Sequence, residues 1–132
     1  MPFEITKHRS YMLATFSGVL TAEDLTRLGD EVEIVEDSVP VSMDRITDLT
    51  HVEKFEIGFP AVSNLAERRK KRVFTRPVRS ALIAREPVQV GLARMFQTLN
   101  DNPMIEVQLF RSIEEAETWF ARGKRGEGDT GG

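Results

Sequence analysis

Asp48, Thr50 and His51 stand within four residues of one another, Ser63 follows a Phe59-Pro60 pair, and Arg85 closes an apolar run. These are the side chains whose types and spacing suit chemistry. An aspartate and an arginine ending two strands can flank a crevice of the kind that open α/β sheets form at the carboxyl ends of their strands. Arg85 would then meet an anion or polar headgroup, with Asp48, Thr50, His51 and the helix start near Ser63 shaping the other wall. Phe59, beside the loop, is the candidate apolar contact. In the competing structural use, Asp48 accepts loop N–H groups and Arg85 pairs with a surface carboxylate such as Glu86.

Catalysis has little to draw on. The chain contains no cysteine, so thiol nucleophiles and thiolate metal sites are excluded, and His8 and His51 are far apart. No Gly-x-Ser-x-Gly occurs, and Gly18, Gly29, Gly58 and Gly91 are isolated, so neither a strained serine elbow nor a phosphate-cradling loop is present. The expectation is a non-enzymatic protein with no catalytic residue, no cofactor and no metal ligands.

Charge is segregated. Between Thr21 and Asp37 seven acids face one base, a balance of −6, and between Glu67 and Arg85 eight bases face one acid, a balance of +7. Arg68, Lys70, Lys71 and Arg72 form a candidate docking surface for an acidic partner or for the acidic helix of a second copy. The alternative is a pair of solvated helix faces. Nucleic acid is not expected, because the net charge is −3 and no aromatic side chains interleave the basic run. No apolar stretch approaches bilayer length, so stable membrane insertion is not expected and the chain is assigned to the cytoplasm.

The elements that must position these residues follow from periodicity. Two alternating runs, Phe3 to Arg9 and Tyr11 to Ser17, predict a hairpin ended by Gly18. Thr21 caps a helix with the stripe Leu25, Leu28, Val32 and Val35. A short strand at Arg45 to Leu49 and an irregular stretch from Thr50 to Gly58 come next. A second helix then starts at Pro60, runs to about Arg72, and has Val62, Leu65, Ala66 and Arg69 on one face. A strand at Val78 to Ala84 leads to a third helix with Val88, Leu92, Met95, Phe96 and Leu99 inward. A last strand carries Ile105, Val107 and Leu109, and a capping box at Ser112 to Glu115 opens a helix burying Ile113, Ala116, Trp119 and Phe120. The order predicts an α/β fold: a mixed five-stranded sheet with an N-terminal antiparallel hairpin, three strand-helix units and four flanking helices. One domain spans residues 1–122, and the glycine-rich segment 123–132 is expected to be disordered.

The segment Asp48-Leu-Thr-His-Val52, an aspartate closing a short strand before a loop and helix, resembles the centre of anti-sigma-factor antagonist (STAS) domains. Residues 84–96 and 105–120 are similar to the SpoIIAA-like branch that is grouped with Sec14-type lipid-binding domains. The resemblance covers about residues 3–121. It implies a cytosolic bacterial binding or regulatory module, and a protein partner and homodimer are expected. In the switching antagonists a phosphorylatable serine opens the helix after this loop. Here the stretch from His51 to Pro60 has no serine or threonine, Thr50 precedes it and Ser63 lies inside the helix. A phosphoserine switch is therefore not expected. The alternative function is a small-molecule or lipid carrier, holding a small apolar or anionic ligand at the carboxyl ends of the strands. Because 123–132 has no apolar side chain to anchor it, deleting it is expected to leave the melting temperature essentially unchanged, as read by differential scanning calorimetry.

Overall fold

The computed structural model describes residues 3–131, with side chains described for residues 3–122. The disordered tail expected at 123–132 lies outside the residues described with side chains. Along the chain come β1 (Phe3–Lys7), β2 (Tyr11–Thr21), α1 (Ala22–Asp37), β3 (Asp44–Glu56), α2 (Phe59–Lys70), β4 (Val78–Ile83), α3 (Pro87–Leu99), β5 (Ile105–Phe110) and α4 (Ile113–Gly131). The strands lie in sequential order, β1 antiparallel to β2 and the rest parallel. The expected α/β architecture is what the chain adopts.

Sequential order has a geometric consequence. Three successive crossovers of the same hand, all stepping across the sheet in one direction, must stack their helices on one face. Leu25 and Leu28 of α1, Val62 of α2 and Ala93 of α3 accordingly share one core with Met12, Phe16, Leu49 and Leu82. The opposite face is covered by α4, where Ala116 and Phe120 pack on Ile46, Ala81 and Ile83.

Two strands are longer than their sequence patterns suggest. β2 does not end at Gly18. This residue takes φ 71°, a left-handed value that costs glycine nothing, and the strand continues to Thr21. β3 runs through the stretch read as irregular, pairing with β2 as far as Glu56. Its register with β2 shifts twice: Thr15 opposes Asp48 but Ser17 opposes His51, and Gly18 opposes Val52 but Val19 opposes Lys54. Each shift inserts one extra β3 residue and reverses the in-out alternation. Leu49, Val52 and Phe55, spaced by three, therefore all meet the core under α1 to α3.

Smaller corrections concern the helices. Gly58 is the N-cap of α2, which makes Pro60 its second residue, and the helix ends at Lys70. In α3 the expected inward residue Val88 is exposed, and Gln89 and Ala93 are buried instead. In α4 the capping box forms: the Ser112 hydroxyl accepts from the Glu115 amide, and the Glu115 carboxylate accepts from the Ser112 amide. Phe120 is deeply buried, while Trp119 is half-buried between Phe110 and Phe120 with the Arg79 guanidinium over its ring. Phe120→Ala is expected to cost about 3–5 kcal/mol in urea unfolding, and Trp119→Ala clearly less.

Candidate functional site

Asp48 is buried, and strand alternation puts it with Ile46 on the α4 side of the sheet. One of its carboxylate oxygens accepts both the Thr50 amide at 2.9 Å and the Thr50 hydroxyl at 2.6 Å. Leu49 and Thr50 together oppose Phe16 at the first register shift, so Asp48 satisfies an amide that the ladder leaves over. His51, largely exposed, lies 3.9 Å from the other Asp48 oxygen. The structural use of Asp48 weighed in the sequence is the one its hydrogen bonds show.

Arg85 turns toward β5, where its Nε donates to the Arg111 carbonyl at 2.8 Å. It does not pair with Glu86. Phe59 and the half-buried Ser63 belong to α2, on the other face of the sheet from Asp48. The six candidate residues therefore split: Asp48, Thr50 and His51 form one local group at the β3 bulge, Arg85 is held at the end of β5, and Phe59 stands out at the head of α2. A single crevice walled by Asp48 and the start of α2 is not assembled.

The residue that organises this end of the sheet is Gln89, which lies unremarked in an apolar helical pattern. It is 1% exposed. Its side-chain oxygen accepts from the Arg85 and Glu86 amides, which are otherwise unpaired at the start of α3. Its Nε2 donates to the Thr50 and Val52 carbonyls on the bulged strand, at 3.3 and 3.1 Å. One amide side chain thus fastens α3 to β3.

The basic run divides: its arginines are engaged by α1, while Lys70 and Lys71 stay exposed. Arg68 donates to Asp30 at 2.7 Å and to Glu33 at 2.6 Å, and Arg72 donates to Asp37 at 2.8 Å. Lys70 pairs with Asp101 at 3.2 Å, and Lys71 is exposed. The acidic face of α1 and the basic face of α2 neutralise each other within one chain, because the fold sets these helices side by side. Gly29 leaves room for the Arg68 guanidinium, since a Cβ there would stand 2.9 Å from its Nη1 and make that side chain shift.

Beneath this seam lies a buried ionic cluster. Glu36 of α1, at 8% side-chain exposure, accepts a two-pronged pair from Arg69, a further bond from Arg72 at 3.2 Å, and the approach of Arg45 Nη2 at 2.6 Å. Arg45 and Arg69 are themselves buried, with their guanidinium groups 5.5 and 5.7 Å from the centre of the Phe74 ring. Asn102 secures the end of α2 by donating to the Arg69 carbonyl at 2.9 Å and the Arg72 carbonyl at 3.1 Å. Burial pushes the Glu36 carboxyl up, but the hydrogen bonds from Arg69 and the charges of Arg45 and Arg69 outweigh it and hold the carboxyl below the ordinary 4.5. Burial, and then the neighbouring charge of Arg69, draw Arg45 down to about 10 against the attraction of Glu36. Arg45 Nε has no hydrogen-bond partner, and Nη2 lies near Glu36 but off the line of a hydrogen bond. Arg45 and Arg69 also line a cavity of about 100 Å³ between the sheet and α1 to α3, whose other polar residues are Thr47 and Ser80.

Glu36→Gln is expected to cost about 3–5 kcal/mol, since it leaves buried guanidinium groups without their carboxylate. A carboxyl whose pKa is lowered on folding stabilises above its unfolded value and loses that contribution as pH falls through the folded one. The parent should therefore lose stability as pH drops below about 4.5, with Glu33, held low by its hydrogen bond from Arg68, adding to the loss. Glu36→Gln should show a shallower acid limb in urea titrations at a series of pH values.

No protein-family model and no curated protein matches this sequence. Among solved structures, an uncharacterised DUF3478-family protein with a SpoIIAA-like fold from Shewanella loihica PV-4 superposes with a TM-score of 0.60 at 19% identity, covering 89% of this chain and 90% of that one. The sequential sheet, its leading antiparallel strand and four helices, together with that superposition over nearly the whole chain, identify the fold as SpoIIAA-like.

Proposed function

We propose that the protein is a non-enzymatic binding or regulatory module of the STAS type that works without a phosphoserine switch and binds a protein partner through the carboxyl end of its sheet. The observation that carries this reading is a set of exposed apolar side chains at that end. Phe59 in the first turn of α2 is 56% exposed, Val88 in the first turn of α3 55%, and Val19 near the end of β2 43%. Val19 lies opposite Lys54, Phe59 follows the end of β3, and Gln89 ties the start of α3 to Thr50 and Val52, so the three are spread along the far half of the strand that bears Asp48, Thr50 and His51. Apolar groups exposed along that half suit a protein contact. Arg68 and Arg72, engaged with α1, are withdrawn from the docking surface, and Lys70 and Lys71 remain as its flank. Cytoplasmic location and self-association into a homodimer belong to the same proposal. Among the described residues no helix is long and apolar enough to cross a membrane.

A second reading, a small-molecule carrier, is favoured by the cavity under α1 to α3 and moves the ligand from the carboxyl ends of the strands into the core. Native mass spectrometry of protein purified from its own host distinguishes the two. The docking reading expects a co-purifying protein or a dimer of the 15.0 kDa chain, lost in a Phe59→Ser/Val88→Ser variant that melts like the parent. A monomer free of protein partners, or an assembly indifferent to both substitutions, would contradict it.

A further inference from the structure

The cavity and the ionic cluster share Arg45, and their junction has a chemical preference. The wall is apolar apart from Arg45, Arg69, Thr47 and Ser80. Among the described residues Glu36 is the one carboxylate within ion-pair distance of either buried guanidinium, and Arg72 draws on it as well. Asp44, next to Arg45 in sequence, acts on it by charge alone: it is ion-paired with Arg76 at 3.3 Å and accepts from the Arg79 amide. Two buried cations thus share one anion, and a buried N–H of Arg45 goes unpaired. A buried donor left without a partner is costly, and an arginine answers best to a planar carboxylate.

We propose that this cavity binds a short apolar monocarboxylate, its tail among the residues under α1 to α3 and its carboxylate on Arg45. This deepens the carrier reading and rests on it. Volume sets the tail length. A cavity near 150 Å³ holds benzene, so about 100 Å³ admits a chain of about four carbons and excludes a long acyl chain. Leu65, Leu92 and Phe96, which line the cavity from α2 and α3, are only half-buried and mark the side nearest solvent. An added carboxylate would balance the second guanidinium and relieve the depression of the Arg45 pKa.

The test uses the full chain with pentanoate, 1-pentanol and acetate as probes. Calorimetric titration at pH 7 should show saturable pentanoate binding, at least roughly tenfold weaker binding of the uncharged alcohol, and none of tailless acetate. Methyl resonances of Leu25, Leu82 and Ala93 should shift with pentanoate. In Arg45→Met the preference for pentanoate over 1-pentanol should vanish. If the alcohol binds as tightly as the acid, or if Arg45→Met keeps the preference, the carboxylate assignment is overturned while the carrier reading stands. If neither tailed probe binds, or the shifts fall outside the cavity, both are overturned. The comparison of acid with alcohol needs only the parent protein, so it decides the matter even where the variant fails to fold.

Discussion

Glu36 is one carboxylate shared by three guanidinium groups, and each comes from a different place in the chain: Arg45 from the start of β3, Arg69 from α2 and Arg72 just beyond it. The acid itself closes α1. A single buried anion therefore joins the first helix, the central strand and the second helix, with Phe74 beneath the two buried arginines. Buried ion pairs of this kind contribute little net stability against an apolar replacement, yet losing one partner is severe because the others remain charged in a dry place. The cluster is a constraint on how α1 and α2 sit, more than a source of stability. The outer pairs from Arg68 to Asp30 and Glu33 extend the same seam toward solvent, where each contributes little.

That constraint explains the charge segregation. A run of acids and a run of bases far apart in sequence look like two surfaces awaiting partners. Adjacent crossovers of the same hand bring them together inside one molecule, so the chain is its own partner along this seam. Exposed apolar side chains remain at Phe59, Val88 and Val19 toward the carboxyl end and at Ile34, Val41 and Val73 elsewhere, and the cavity sets the cation of Arg45 among apolar side chains.

Much of this fold is legible in the sequence, and the parts that are not have specific physical causes. Periodicity finds the four helices and the five strands, and it places Arg69 on the inner stripe of α2 with Val62 and Ala66. It cannot name Glu36 as its partner, which depends on the packing of α1 against α2. The far half of β3 escapes because Leu49, Val52 and Phe55 repeat every three residues, and only the two inserted residues restore a common face. Gln89 escapes because a polar residue in an apolar stripe gives no local sign that four backbone groups on two segments converge on it. Asp48 stands out in the sequence, but the unpaired amide it serves exists only once the bulge forms.

The most direct measurement of this account is a double-mutant cycle between Glu36→Gln and Arg45→Met, read as unfolding free energy in urea at neutral pH. If one anion balances too many buried cations, removing Arg45 should relieve part of the loss caused by Glu36→Gln, giving a coupling of about 1–3 kcal/mol. Additive losses, with Glu36→Gln as damaging in the Arg45→Met background as in the parent, would contradict the shared buried carboxylate on which the account rests.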